Sequence, residues 1–256
     1  MICLIFGPIN RLCIPAQMFF IKSDIVYIKK TVYNSIKKKK DAKMNLQSNE
    51  VKYIRQIPIN PDINMVLSRL GYRKNVTVLD EGSSEFIEKA LNEAAKLCSI
   101  SAAYAIFRVI SRNDEFVELQ QQIAFQSSGL AGLLKNSTYA VLMSSTAGSE
   151  VMEAIDSEIK KGNAAKALII DSYASQAADK GLDWLKVFLN RMLLRTGMKL
   201  TKHRFSPGYG DLEIYYQKII YEVLKLDRLN ISITEKYMLV PEKSVIAIAG
   251  IEKADI

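Results

Sequence analysis

One short segment of the chain combines residue types that bind an anion or a zwitterion. Arg204 offers a planar guanidinium group, which can hold a carboxylate through two parallel hydrogen bonds. Pro207 and Gly208 are the pair expected at the central positions of a type II turn, where glycine accepts a positive φ. Such a turn directs backbone N–H groups outward beside the arginine, and Tyr209 adds an aromatic face and a hydroxyl group. Asp211 then stands where the N-cap of a following helix belongs, so the segment is also typical of a connector without a ligand.

The elements that must position this segment are a mixture of helices and strands without a regular βαβ order, which favours the α+β class. Continuous apolar runs predict strands over 102–110, 138–143 and 244–251, and the last is apolar enough to be central in a sheet. Residue spacing and turn signals predict helices over 61–70, 84–97, 129–134, 148–159, 163–196 and 212–226. Residues 52–61 and 230–233 are expected to be extended.

The long predicted helix carries a second candidate site. Asp171, Asp179 and Asp183 lie among small side chains, including Gly181, which would let another backbone or a flat ligand approach closely. An acidic residue there could bind an ammonium group. The alternative is that the aspartates form only the polar face of an amphipathic helix.

The Arg-x-x-Pro-Gly-Tyr segment, followed by a predicted helix and by the late segment Tyr237–Val245, resembles the activation (reactivation) domain of vitamin B12-dependent methionine synthase. The resemblance is good over about residues 200–250 and weaker from about residue 50 to 200. In that family the segment holds S-adenosylmethionine. The resemblance therefore implies that this ligand is bound by the matching residues of this chain, which are Arg204, Pro207, Gly208 and Tyr209.

The same resemblance implies a further site residue and a fold. Family members carry a carboxylate that meets the amino group of the ligand, and it falls on Asp179, where the family pattern leads us to expect glutamate. Arg204 and Asp179 would then hold the two opposite charges of an amino acid. The implied fold is a curved, mainly antiparallel sheet flanked by helices in one C-shaped domain.

The function implied by the resemblance is that of a free-standing reactivation subunit. It would bind S-adenosylmethionine and support the reductive remethylation of cob(II)alamin on a partner chain. The chain lacks the Asp-x-His-x-x-Gly motif of the corrinoid-binding module, so the partner would be such a module, or a methionine synthase core, on a separate chain. The resemblance also suggests a flavodoxin-like electron donor. Whether this chain is itself an enzyme stays open.

A second hypothesis from a different class is a non-catalytic docking module for a corrinoid protein, which no longer binds S-adenosylmethionine. The aspartate at position 179 and the Gly210-Asp211 pair, where full-length relatives differ, allow this interpretation.

The charge of the chain is concentrated at its beginning. Residues 1–43 contain nine basic and two acidic residues and so account for +7 of the net charge of +8. The nearly neutral remainder indicates no nucleic-acid groove and no membrane surface. We expect residues 1–43 to be a non-native or disordered extension and residues 44–256 to be the domain. The alternative is a basic tail that adapts the protein to nucleic acid or membrane.

Cysteine and histidine are too rare to form a metal centre. Cys3, Cys13 and Cys98 are scattered and predict neither a disulfide framework nor a zinc site, which favours a cytoplasmic location. His203 is the single histidine, and an exposed position at a strand end is expected for it. No metal site is predicted.

Overall fold

An antiparallel sheet forms the centre of the fold. The computed structural model describes residues 46, 49–73 and 76–254, which belong to the compact unit Asn45–Ile256. The expectation about residues 1–43 falls outside the described residues. Within them lie nine strands: β1 (Lys52–Ile54), β2 (Ser101–Arg112), β3 (Phe116–Leu119), β4 (Ile123–Gln126), β5 (Tyr139–Thr146), β6 (Met198–Leu200), β7 (Ser232–Ile233), β8 (Leu239–Val240) and β9 (Ser244–Lys253).

The strand order of the main sheet is β4-β3-β2-β5-β9-β6, and β1 pairs with the first half of β2. Every pairing between these strands is antiparallel. The strands β2, β5 and β9 are buried on both faces over most of their length, because the residues there are apolar or small, and charged residues occur only towards the exposed ends of β2 and β9. The α+β class, the curved antiparallel sheet and the central position of β9 are therefore confirmed.

Helices cover both faces of the sheet. The six α-helices within the described residues are α1 (Ile63–Arg69), α2 (Glu81–Leu97), α3 (Ser128–Leu134), α4 (Glu150–Lys160), α5 (Ala164–Leu193) and α6 (Tyr216–Leu224). On one face, the core joins alternate residues of β2 such as Phe107 to α3 and α6 through Leu134 and Ile220. On the other face, Tyr104 meets Phe188 of α5.

The small residues of α5 let the helix pack closely against the sheet. The sequence predicts that they admit either another backbone or a flat ligand, and the structure shows the first. Ala174, Ala177 and Ala178 are buried. A Cβ atom at Gly181 would lie 2.0 Å from Oγ of Ser145 on β5, which is closer than atoms can approach. Glycine at this position therefore lets the long helix settle directly on the sheet.

One sequence-based prediction is wrong, and one hairpin was missed. The predicted helix over 212–226 begins only at Tyr216, because residues 209–212 form a tight loop in which the Leu212 N–H donates to the Tyr209 carbonyl oxygen. The hairpin of β3 and β4 was not predicted. Its connection contains Gln121 and Gln122 at positive φ, 67° and 59°, and glutamine gives no turn signal.

Replacing Gly181 with alanine is expected to destabilise the fold by about 1–3 kcal/mol, because the added methyl group overpacks the contact with Ser145. Denaturant unfolding monitored by circular dichroism measures this change. The matched control is Gly132→Ala, since a Cβ at exposed Gly132 of α3 meets nothing within 4 Å. That control should leave the stability unchanged or raise it by up to about 1 kcal/mol. Equal stability of the two variants would contradict the proposed contact.

Candidate functional site

The backbone of Arg204 is fixed at the edge of the sheet. After β6 the chain continues beside β9, where Phe205 and Ile248 exchange two backbone hydrogen bonds of 2.9 and 2.7 Å. Closer to β6, the Thr201 N–H donates to the Gly250 carbonyl oxygen at 2.9 Å. These bonds hold Arg204 on a rigid element.

The side chain of Arg204 pairs with two aspartates of α5. Nη1 donates to Oδ1 of Asp183 at 2.5 Å, and Nη2 donates to Oδ1 of Asp179. The two aspartates are four residues apart and so share one face of the helix. The arginine side chain is 19% exposed, whereas those of Asp179 and Asp183 are 50% and 43% exposed. The structure thus brings together the two predicted charged residues, but as partners of each other.

The ion pairs of Arg204 shift the pKa values of the charged side chains in this cluster, which consists of Arg204, Asp179, Asp183 and the neighbouring lysines. Partial burial by itself raises the pKa of Asp183, but the hydrogen bond and charge of Arg204, assisted by Lys180, outweigh it and hold the pKa below its ordinary value. The pKa of Arg204 is raised, because its bonds to both aspartates outweigh the effect of burial. Burial, and then repulsion from Arg204, lower the pKa of Lys186. Asp183 and Arg204 are therefore both charged at neutral pH.

A cavity of about 460 Å³ lies beside this cluster. Its volume is within the range of about 300–1,000 Å³ that small-molecule sites occupy. Its wall combines apolar and polar side chains, and the charged groups of Arg204 and Asp179 lie in that wall, while Asp183 does not. The lining residues are Asp179, Leu182, Arg204, Phe205, Ser206, Pro207, Tyr209, Gln217, Leu239, Ser244, Val245 and Ile246.

Four of the five predicted site residues therefore line one cavity, and Gly208 does not. Gly208 has a φ of 89°, and the Tyr209 N–H donates to the Ser206 carbonyl oxygen at 3.2 Å, as in the predicted type II turn. The Gly208 N–H donates to the Leu212 carbonyl oxygen at 2.7 Å. The turn thus uses these two N–H groups within the loop.

Sequence reasoning missed several residues of the cavity wall. Leu182 lies one helical turn after Asp179, and this spacing is the one signal that could have placed it there. Gln217 reaches the cavity from the first turn of α6, and nothing local in the sequence marks it, whereas Leu239 of β8 belongs to the late segment Tyr237–Val245. The late segment that includes Val245 was recognised, but its contribution to the wall was not.

Comparison with solved structures finds a similar fold in the MetH reactivation domain, which was crystallised bound to AdoHcy (S-adenosylhomocysteine). The TM-score is 0.56 with 13% sequence identity, and the match covers 78% of each chain. This chain has the fold of the MetH reactivation domain. The likeness shows the fold alone at this identity. No protein-family model matches the sequence, and no curated protein matches it.

Other side chains that could take part in chemistry are either exposed to solvent or packed inside the protein. His203 is exposed, as expected, and Trp184 stacks on Phe188 with ring centroids 5.2 Å apart. Burial raises the pKa of the Cys98 thiol to about 12, which makes it a poor nucleophile.

Among residues 49–73 and 76–254, no cluster of three or more histidine, cysteine or acidic side chains could hold a metal ion. Within the same residues no helix is both long and apolar enough to cross a membrane.

Asp211 has a different role from the predicted one. It does not cap the helix that follows it, which begins with Tyr215 as its N-cap residue. Its carboxylate instead accepts hydrogen bonds of 2.5–3.3 Å from the first residues of α3, namely from both serine hydroxyls at 127 and 128 and from the N–H groups of Ser128 and Gly129. Asp211 therefore ties the loop beside the cavity to a distant helix.

We expect Asp211→Asn to lower the melting temperature at pH 7 by a few degrees, because the charge-assisted bonds to α3 are lost. The hydroxyl and N–H bonds hold the pKa of Asp211 well below its usual range. A depressed pKa contributes stability that is complete above the unfolded value of about 4 and is lost as the pH falls towards the folded value. The difference between wild type and variant should therefore shrink in scans below about pH 4. A difference that is constant from pH 7 to pH 3 would argue against this role.

Proposed function

We propose that this protein binds S-adenosylmethionine and acts as a reactivation subunit for a cobalamin-dependent methionine synthase. One observation carries the proposal: Arg204 and Asp179, which are opposite charges in contact, lie side by side in the wall of a cavity that also offers apolar surface. The fold shared with a reactivation domain that was crystallised with AdoHcy supports the same ligand class.

When the ligand binds, its amino acid part would replace the contact between Arg204 and Asp179 with one contact to each of them. The ligand carboxylate takes the place of Asp179 on the Arg204 guanidinium, and Asp179 turns to the ligand ammonium group. Each charge of the protein keeps a partner of opposite sign throughout, which avoids the large cost of a buried unpaired charge. Planar guanidinium geometry suits a carboxylate that binds through two oxygens.

Asp183 is a positioning residue in this scheme. It does not line the cavity, and it holds Nη1 of Arg204 at 2.5 Å while Lys180 approaches its other oxygen at 3.3 Å. Asp183 can therefore stay bound when the ligand displaces Asp179. The guanidinium then keeps its orientation during the exchange, so less freedom is lost on binding.

S-adenosylmethionine would supply the methyl group for the reductive remethylation of a cob(II)alamin carried by a partner chain. The partner would be a corrinoid-binding module or methionine synthase core, with a flavodoxin-like protein as electron donor, in the cytoplasm. Exposed apolar side chains beside the cavity suit such docking: Tyr209 is 72% exposed, Met238 52% and Val240 43%. Apolar groups of this kind at the rim of a site favour a protein partner over open solvent.

The second candidate function is a non-catalytic docking module for a corrinoid protein. The observation that favours it is that Arg204 already has two carboxylate partners in the protein. A guanidinium satisfied in this way needs no ligand. Binding measurements separate the two functions.

Titration calorimetry of S-adenosylmethionine into the full chain tests the proposal. We expect saturable binding by the wild type and a loss of about 10- to 100-fold in affinity for Arg204→Ala, because a charge-assisted hydrogen bond contributes about 1.5–3 kcal/mol. Arg204→Lys keeps the charge without the planar fork and should fall between the two. Absence of binding by a folded wild type, with and without a corrinoid partner, would favour the docking module.

A matched variant tests the exchange of partners. Asp179→Asn should weaken binding of AdoHcy, because the ammonium group loses its partner. The same variant should strengthen binding of an AdoHcy analogue that lacks the amino group, because Asp179 no longer competes for Arg204. If both ligands respond in the same direction, the exchange does not occur as described.

A further inference from the structure

The ring of Phe205, which lines the cavity, is in close contact with two glycines. A Cβ atom at Gly129, in the first turn of α3, would lie 2.8 Å from Cζ of this ring. A Cβ atom at Gly210 would lie 3.1 Å from the same atom. Packed atoms do not approach as closely as the first distance, so the ring can occupy its place only because position 129 has no side chain.

Asp211 fixes the same stretch of chain to α3. Its carboxylate accepts hydrogen bonds of 2.6 and 2.7 Å from the hydroxyl groups of Ser127 and Ser128, and it also accepts from the N–H of Gly129. A Cβ atom at Gly129 would lie 2.9 Å from Oδ1 of Asp211. Buried apolar residues hold α3 itself in the core, namely Leu130, Ala131 and Leu134. The contact therefore joins the loop to a fixed element.

The loop 205–211 is closed by its own hydrogen bonds. The Tyr209 N–H donates to the Ser206 carbonyl oxygen at 3.2 Å, and the Gly208 N–H donates to the Leu212 carbonyl oxygen at 2.7 Å. Tyr209 lines the cavity and is 72% exposed, so its position depends on the backbone of this loop. A shift of the loop against α3 therefore also shifts Tyr209.

Arg204 is held independently of the contact with α3. The adjacent Phe205 exchanges two backbone hydrogen bonds with β9, and Asp183 binds the guanidinium group. Gly129 and Asp211 do not line the cavity. A change at either of them thus alters the wall formed by the loop and leaves the guanidinium in place.

We infer that Gly129 and Asp211 are positioning residues of the ligand site. Without contacting the ligand, they determine where Phe205 and Tyr209 lie, and a wall that is ordered before binding raises the affinity. The inference rests on the proposed function, in which the cavity holds S-adenosylmethionine or AdoHcy. The ion pair in the cavity wall would bind the amino acid part, and the ordered loop serves the remainder of the ligand.

Calorimetric titration of AdoHcy into Gly129→Ala tests the inference. The added methyl group displaces the Phe205 ring and the Asp211 carboxylate, so binding should be about 3- to 10-fold weaker than in wild type, the effect of ordering wall side chains on binding. Asp211→Asn is a milder change, which should weaken binding about 2- to 5-fold and decides the question if Gly129→Ala does not fold. The matched control is Gly132→Ala on the same helix, which should bind as wild type does, because a Cβ there meets nothing within 4 Å. Each titration is made at a temperature at which circular dichroism shows the variant to be folded.

A second ligand separates positioning from a general loss of structure. An AdoHcy analogue without the carboxylate lacks the contact with Arg204, so wild type should bind it more weakly than AdoHcy. Because Arg204 is held independently of α3, the ratio of the two affinities should agree within about twofold between wild type, Gly129→Ala and Asp211→Asn. Arg204→Ala should bring the ratio close to one.

Two results would overturn the inference. Wild-type affinity for AdoHcy in the folded variants would show that the contact with α3 serves stability alone. A ratio of affinities that falls towards one in Gly129→Ala and Asp211→Asn would show that their loss passes through Arg204. If Arg204→Ala weakens binding while these two variants do not, only this inference fails. If the wild type binds neither S-adenosylmethionine nor AdoHcy, both proposals fail.

Discussion

The depth at which α5 packs against the sheet is the constraint on which the site depends. Gly181 permits this approach, since any larger residue would collide with Ser145 on β5. Asp179 and Asp183 lie two residues to either side of that contact, and both reach Arg204. The sheet edge that carries Arg204 is in turn fixed by its bonds to β9. Backbone packing thus brings three charged side chains within reach of one another.

The charged cluster serves both the stability of the ligand-free protein and the binding of a zwitterion. A half-buried guanidinium without a partner would be costly, so the aspartates stabilise Arg204 when no ligand is present. The same contacts oppose the ligand carboxylate, which has to replace one of them. The placement of Asp179 in the cavity wall, with Asp183 outside it, resolves this conflict by assigning exchange to one residue and support to the other.

The sequence was sufficient for the elements with strong local patterns. The apolar runs of β2, β5 and β9 and the long helix α5 were predicted close to their observed bounds, and the turn at Pro207 and Gly208 followed from its residue types. Contacts distant in the sequence were not predictable in this way. Asp211 caps a helix more than 80 residues earlier in the chain, and the cavity wall is built from segments that lie far apart in the sequence. The pairing of Arg204 with its aspartates likewise needs the tertiary fold.

A crystal structure of the protein with AdoHcy would show whether the ligand exchanges partners with the ion pair. We expect AdoHcy in the cavity, with its carboxylate on Arg204, with Asp179 turned from the guanidinium to the ligand ammonium group, and with Asp183 still bound to Arg204. AdoHcy bound elsewhere would contradict this mode of binding. An Arg204 that still holds both aspartates, beside an empty cavity at saturating AdoHcy, would contradict it equally.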